Sequence, residues 1–216
     1  MKYKAVIFDL DGTLLYTLGD ISLVINKVLK NLDLPTHPAE SYKKLVGHGL
    51  KETLKRACLN NCSDEDLERG YLDVVKAYKN NSVITTRPYN GIPELLDALC
   101  LQGIKIAILS NKEDSLVQDI ADKLLSKWQF SSIRGFLPDV PKKPDPFSLK
   151  EMLKEMSIKT SEALFIGDSG VDMKTAVNSG LLGVGATWGY RDIIELTEAG
   201  AGILIDKPED LLKIIG

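Results

Sequence analysis

The chain has 216 residues, 44% of them hydrophobic and 26% charged, with a formal net charge of -3. That is enough apolar material for one large domain, or for a core with a smaller appendage, and it excludes a disordered chain. Lysine and arginine form no long basic run and no window approaches the roughly 18 apolar residues of a membrane span, which argues against nucleic acid and membrane as main partners. An anionic substrate stays open, because a local site can reverse a weakly acidic global sign.

From the N-terminus, Lys4 to Asp9 is a β-branched and apolar run that predicts a buried strand, broken at Gly12. The apolar part, Ala5 to Phe8, is too short for a signal-peptide core, so a cytoplasmic location is expected. Ile21, Val24, Ile25, Val28, Leu29 and Leu32 have helical spacing and predict a helix over 17–32, ended by Leu34-Pro35. The stretch 38–81 reads as helical throughout, interrupted at Gly47-His48-Gly49, with one helix over 50–59 and another entered through a Ser63/Asp66 pair resembling a capping box. From about residue 85 helices and strands alternate. Pro93 marks a helix start, Ile104–Leu109 a buried strand, 114–126 and 146–156 helices, and 163–167, 182–186 and 202–205 strands, with a short strand ending near Phe136. Alternation of this kind predicts a doubly wound parallel sheet of the α/β class. The first strand belongs with it, so the core comprises 1–15 and 85–216, and 16–84 is an inserted helical cap. Hinges are expected at 15–17 and 82–87.

The three cysteines are Cys58, Cys62 and Cys100. An odd count without an export signal argues against a disulfide framework. The i, i+4 spacing of Cys58 and Cys62 would suit a metal pair on a helix, but it is not a recurring zinc spacing and no histidine pair lies nearby. Ordinary thiols are expected.

Polar clusters sit where sites of open sheets lie, beyond the carboxyl ends of strands. Asp9-Leu10-Asp11-Gly12-Thr13 follows the first strand and Ser110-Asn111 the second. Lys142-Lys143-Pro144 lies in a loop before a helix, and Gly167-Asp168-Ser169-Gly170-Val171-Asp172 follows the strand at 163–166. Each alone has a plain structural reading: a turn, a helix cap, a solvated lysine. Together, in order and each placed after a strand, they point to chemistry. Asp9 and Asp11 would face the same way in extended chain, and Asp168 and Asp172 can converge on them. Four carboxylates in a small volume would protonate unless a cation compensates. A hard divalent ion with oxygen ligands suits them, magnesium before others.

With those residues in view, the chain resembles the haloacid dehalogenase superfamily of hydrolases, in its phosphoglycolate phosphatase-like and β-phosphoglucomutase-like group. Phe8-Asp9-Leu10-Asp11-Gly12-Thr13-Leu14, Ser110-Asn111, Lys143-Pro144-Asp145-Pro146 and Gly167-Asp168-Ser169 with Asp172 match its four motifs, over nearly the whole chain. The resemblance implies a Rossmannoid core with a cap and a Mg2+-dependent phosphatase acting through an aspartyl-phosphate. It makes Asp9 the nucleophile, Asp11 the general acid and base, and Lys143 the neutraliser of charge. Asp9, Asp11 (through its backbone carbonyl), Asp168 and Asp172 hold the metal, and Thr13, Ser110 and Asn111 meet the phosphoryl group. The implied partner is a small phosphorylated metabolite, phosphoglycolate as first choice, on a monomer or homodimer. Tyr16-Thr17 departs from the pattern, since many relatives carry Asp after the aliphatic pair; the change falls where the chain leaves for the cap. Gly47-His48-Gly49 suits a substrate-facing loop, with His48, Lys51 and Arg56 as candidate leaving-group contacts; a plain interhelical turn is the alternative. A sugar phosphomutase and a non-catalytic phospholigand-binding regulator remain alternative readings. A dehalogenase is disfavoured by Asp11 and Asp168.

Overall fold

A computed structural model describes residues 2–59, 61–80 and 83–216. Strand β1 (Ala5–Phe8) leads through the short β2 (Leu15–Tyr16) into helix α1 (Leu18–Asn31), a 3-10 segment (Ala39–Lys44), α2 (Leu50–Ala57) and α3 (Asp64–Asn80). The chain returns through β3 (Arg87–Pro88) to α4 (Ile92–Leu101), β4 (Lys105–Glu113), α5 (Asp114–Leu124) and β5 (Ser132–Phe136). It continues with α6 (Phe147–Glu155), β6 (Ala163–Gly167), α7 (Gly170–Ser179), β7 (Leu182–Ala186), α8 (Ile193–Glu198), β8 (Ile203–Ile205) and α9 (Asp210–Ile215).

The large sheet has the order β5-β4-β1-β6-β7-β8 and every pair in it is parallel. Successive residues of a strand face opposite sides, and here both sides are apolar. Val6, Phe8, Ile106, Ile108, Leu164 and Ile166 pack on one face with Leu95, Leu99, Leu116, Ile120 and Leu211 of α4, α5 and α9. Ala5, Ile7, Ala107, Leu109, Ala163 and Phe165 pack on the other with Leu149, Met152, Leu153 and Ala176 of α6 and α7. The expected doubly wound α/β sheet is therefore present. From β1 the chain first builds outward through β4 and β5, then crosses back to β6 on the other flank. The reversal falls at β1, and ligand crevices of open sheets form at that reversal.

Helices α1, α2 and α3 pack on one another through Val24, Ile25, Val28, Leu54 and Val74. The two chain segments that join them to the sheet pair as antiparallel β2 and β3, Leu15 opposite Pro88 and Tyr16 opposite Arg87. A buried carboxylate ties the same crossing: Asp20 accepts hydrogen bonds from the backbone N–H of Ile84, Thr85 and Thr86 and from both threonine hydroxyls. Burial alone would raise its pKa, but the Thr86 hydroxyl and the Thr85 N–H overcome this and hold it below the ordinary carboxylate value.

The structure departs from the sequence reading in four places. Residues 39–44 coil as a 3-10 segment rather than an α-helix. The helix expected over 50–59 stops at Ala57, because Leu59 turns to a left-handed φ of 52°. That turn brings Cys58 and Cys62 to a Cα separation of 5.9 Å and joins them in a disulfide, correcting the expectation of free thiols; Cys100 is free. Lastly, β4 runs four residues past Leu109, so Ser110-Asn111 lies inside the strand rather than after it. The helix expected to residue 81 is described as far as Asn80; residue 81, and residue 82 of the expected hinge, lie outside the described residues. Among the described residues no helix is long and apolar enough to cross a membrane.

Candidate active site

The carboxyl ends of β1, β4 and β6 converge. Asp9 leaves β1 with its backbone N–H donating to Ile166 O of β6 at 2.8 Å, so the two strand ends are locked together. Gly12 turns the chain at φ 93°, and a Cβ there would run into the Asp168 carboxylate. Only glycine lets the loop after β1 pass that close to the end of β6.

Asp9, Asp168 and Asp172 each offer a carboxylate oxygen within 4.8 Å of the others, and all three are buried. Lys143 is inserted among them. Its Nζ donates to Asp9 Oδ1 at 2.7 Å, to Asp172 Oδ1 at 2.7 Å and to Leu109 O at 2.9 Å, using all three of its N–H groups. Burial would favour the neutral amine, but Asp172 and Asp9 hold its pKa above the usual lysine value. One cation does not balance three carboxylates. Burial, opposed by Lys143 and reinforced by Asp172, raises Asp9 to about 7. Burial with Asp172 and Asp9 nearby pushes Asp168 well above the ordinary value. Clustered hard oxygens short of positive charge fit a divalent cation.

The supporting contacts fix each group. Asp168 accepts from Tyr190 N–H at 2.7 Å on Oδ2 and from the Thr13 hydroxyl at 3.3 Å on Oδ1. Asp172 Oδ2 accepts from the Ser169 hydroxyl at 2.6 Å and from Ser169 N–H at 3.1 Å, closing the capping box that starts α7. Asn111 exchanges hydrogen bonds with the Lys143 backbone, 2.9 Å to its N–H and 3.0 Å to its carbonyl, and so carries the lysine loop on β4.

Extension of β4 has a cause in its pairing. Leu109 pairs with Arg134 and Glu113 with Phe136, so β4 advances four residues while β5 advances two. This bulge frees Ser110, Asn111 and Lys112 from the regular alternation, and bulges beside sites re-aim side chains in this way. All three are buried and line one cavity with Asp9 and Asp11. The cavity measures about 20 Å³ and is closed on its far side by Ile21, Val46, Gly47, Gly49, Leu50 and Thr53 of the helical segment. Asn111 Nδ2 donates to Gly47 O at 3.1 Å and Arg191 Nη2 to Val46 O at 2.6 Å, fastening that loop to the sheet side.

The candidates from sequence are distributed unevenly. Asp9, Asp11, Ser110 and Asn111 line the cavity, and Lys143, Asp168 and Asp172 lie against Asp9. Asp11 is not part of the three-carboxylate cluster; its Oδ1 accepts from Lys112 Nζ at 2.6 Å. Thr13 is buried against Asp168 and is not a cavity wall. The helical-segment candidates are elsewhere. Lys51 pairs with Glu68 and Arg56 with Glu52 at 2.9 Å. His48 lines an outer cleft with Lys174, Asp192 and Glu195; burial, then Arg56, lowers its pKa. Thr17, at the departure from the family pattern, meets the Tyr190 hydroxyl at 2.9 Å through its N–H. The sequence reading missed Lys112, Tyr190 and Arg191. For Lys112 a signal existed in its place directly after Ser110-Asn111; for the other two, the contacts that reach Thr17 and Val46 span 173 and 145 residues of chain.

Fold, strand-end carboxylates and lysine together define a hydrolase of the haloacid dehalogenase-like family. The model of that family, "Haloacid dehalogenase-like hydrolase", matches residues 6–186, and the chain belongs to it. Among individual relatives, it is 32% identical to a phosphoglycolate phosphatase of Aquifex aeolicus over 98% of this chain and 96% of that protein. It is 32% identical to one of Neisseria meningitidis over 92% and 86%. The crystal structure of a predicted phosphoglycolate phosphatase from Haemophilus somnus 129PT superposes with a TM-score of 0.90 at 29% identity, over 100% of this chain and 99% of that one.

Proposed function

We propose that this chain is a phosphatase of small phosphate monoesters, phosphoglycolate first among them, and that it works through an aspartyl-phosphate on Asp9. The observation that carries the reading is Asp9 itself. It is a buried carboxylate at the switch point of the sheet, held by Lys143 on one oxygen and facing a cavity that Asp11 also lines. Relatives that cover almost the whole chain and bear the name phosphoglycolate phosphatase support the choice of ester.

In the first step Asp9 attacks phosphorus. The bond to the leaving oxygen breaks, its electron pair goes to that oxygen, and Asp11 supplies the proton. In the second step a water oxygen attacks phosphorus and its proton passes to Asp11. The bond to Asp9 breaks and its pair returns to the carboxylate. Lys143 offsets charge on Asp9 throughout, and Ser110 with the Asn111 backbone faces the phosphoryl oxygens. Asp9, Asp168, the Asp11 carbonyl and, beside them, Asp172 would hold magnesium, which when bound supplies further stabilisation of the transferring phosphoryl charge.

Residues 16–84 act in this reading as a cap. A space of about 20 Å³ holds little more than a water, far below the roughly 300 Å³ at which ligand pockets begin. Substrate therefore enters with the cap lifted about the β2–β3 crossing, and the closed space favours a small leaving group. Purified protein assayed on a panel of phosphorylated metabolites, with and without magnesium and beside Asp9→Asn, tests the proposal. Magnesium-dependent release that vanishes in the variant supports it, and release that survives the substitution overturns it.

A further inference from the structure

Lys112 is a fully buried ammonium that the phosphatase scheme does not use. It stands on the β4 bulge with its side chain 1% exposed. Its Nζ donates to Asp11 Oδ1 at 2.6 Å and to the Tyr78 hydroxyl at 3.2 Å, and lies 4.6 Å from the centre of the Tyr78 ring. Tyr78 belongs to α3, on the cap side, and is itself fully buried. Three elements thus meet at one nitrogen: the loop after β1, the bulge of β4 and a cap helix.

We infer that Lys112 is a positioning residue for Asp11, and that Tyr78 makes this positioning depend on cap closure. Lys112 holds Oδ1 of Asp11, which leaves Oδ2 for the leaving oxygen and then for the attacking water. An ammonium on a four-carbon stem has no preferred direction of its own. The Tyr78 hydroxyl and ring supply one, and they are present only when α3 is seated on the sheet. With the cap lifted, Lys112 loses its second partner and faces water, and Asp11 loses its fixed orientation. Proton transfer is then efficient only in the closed state, where bulk water is excluded.

The inference rests on the phosphoaspartate reading, and nitrophenyl phosphate separates the two. Nitrophenolate leaves without help from an acid, so formation of the phosphoenzyme does not need a well-placed Asp11, whereas its hydrolysis does. In the full chain with magnesium, Lys112→Met is expected to release nitrophenolate in a rapid burst equal to the enzyme present. Steady turnover should then be lower than wild type by about 10²-fold, the low end of general acid–base contributions. Tyr78→Phe, which keeps the ring and deletes the hydroxyl, should show the same pattern with a fall of about 3- to 10-fold in turnover, on the scale of one hydrogen bond. Unchanged turnover in Lys112→Met, or burst and turnover falling by the same factor in both variants, overturns the inference. Asp9→Asn is the control: a burst that persists there sinks the phosphoaspartate reading itself, whatever the two other variants do.

Discussion

The two walls of the cavity are built from different materials. On the sheet side, Asp9, Asp168, Asp172 and Lys143 are all buried and each is held by named hydrogen bonds from two or more elements. On the helical side, the cavity is bounded by Ile21, Val46, Gly47, Gly49, Leu50 and Thr53, and its charged residues turn outward to partners of their own. In the proposed reading the sheet side offers fixed charge to the phosphoryl group. The helical side offers shape to the leaving group in that reading, its Gly47 and Val46 carbonyls being taken up by Asn111 and Arg191. Chemistry and selection are accordingly separable, and substitutions on the two walls should have different signatures.

The largest effect belongs to the sheet wall. Asp9→Asn should lower phosphate release by more than about 10³-fold, as removal of a covalent nucleophile does, with the melting temperature little changed. Lys143→Met should cost about 10²- to 10³-fold in turnover, the scale of losing one preorganised charge partner at a reacting centre, as steady-state assays would show. A loss below tenfold in either would mean that the buried cluster is structural.

Between the walls, Asp20→Ala removes five hydrogen bonds at the β2–β3 crossing without touching the cavity. Bonds to a charged group are worth about 1.5–3 kcal/mol each at most and are not additive, so a loss of about 2–4 kcal/mol in urea unfolding is expected. The pH dependence has a definite sign. The folded Asp20 pKa lies below the ordinary 3.8, so its stabilisation is complete above that value and is lost as pH falls through the folded pKa. The gap between wild type and Asp20→Asn should therefore hold at pH 7 and narrow in acid below 3.8. A gap that widens there would contradict the assignment.

On the helical wall the expected changes are smaller and concern choice of ester. Leu50→Ala should shift the ratio of kcat/KM for a longer ester over phosphoglycolate by about tenfold, the scale for a methylene or two in an apolar pocket. His48→Ala, Lys51→Ala and Arg56→Ala should change kcat/KM by less than about twofold, because their side chains serve exposed ion pairs or an outer cleft. A tenfold rise in KM from any of them would show that cap movement carries that side chain inward.

The same division explains what was legible in the sequence. Val6-Ile7-Phe8 and Leu164-Phe165-Ile166 are runs buried on both sheet faces, and the acids that follow them stand out because a polar cluster after a fully buried strand has no packing role. The outward turn of Lys51 and Arg56 was not legible, since helical spacing gives a face but not what it faces. Lys112 escaped notice for another reason: a bulge set by pairing with a strand more than twenty residues away decides that it is buried. Asp20 was missed because its partners arrive from 64 to 66 residues downstream. The Cys58–Cys62 pairing was missed because the turn at Leu59 carries no strong signal, leucine being an unusual residue for a left-handed conformation.

The central claim is that Asp9 carries the phosphoryl group. The direct measurement is an acid quench of Asp11→Asn after mixing with magnesium and nitrophenyl phosphate, followed by peptide mass spectrometry. This background slows hydrolysis while sparing a leaving group that needs no proton. The account predicts one added phosphate on the peptide containing Asp9, and none when Asp9→Asn is combined with it. Phosphate on a different residue, or nitrophenolate release from wild type with no covalent phosphate in either protein, would contradict it.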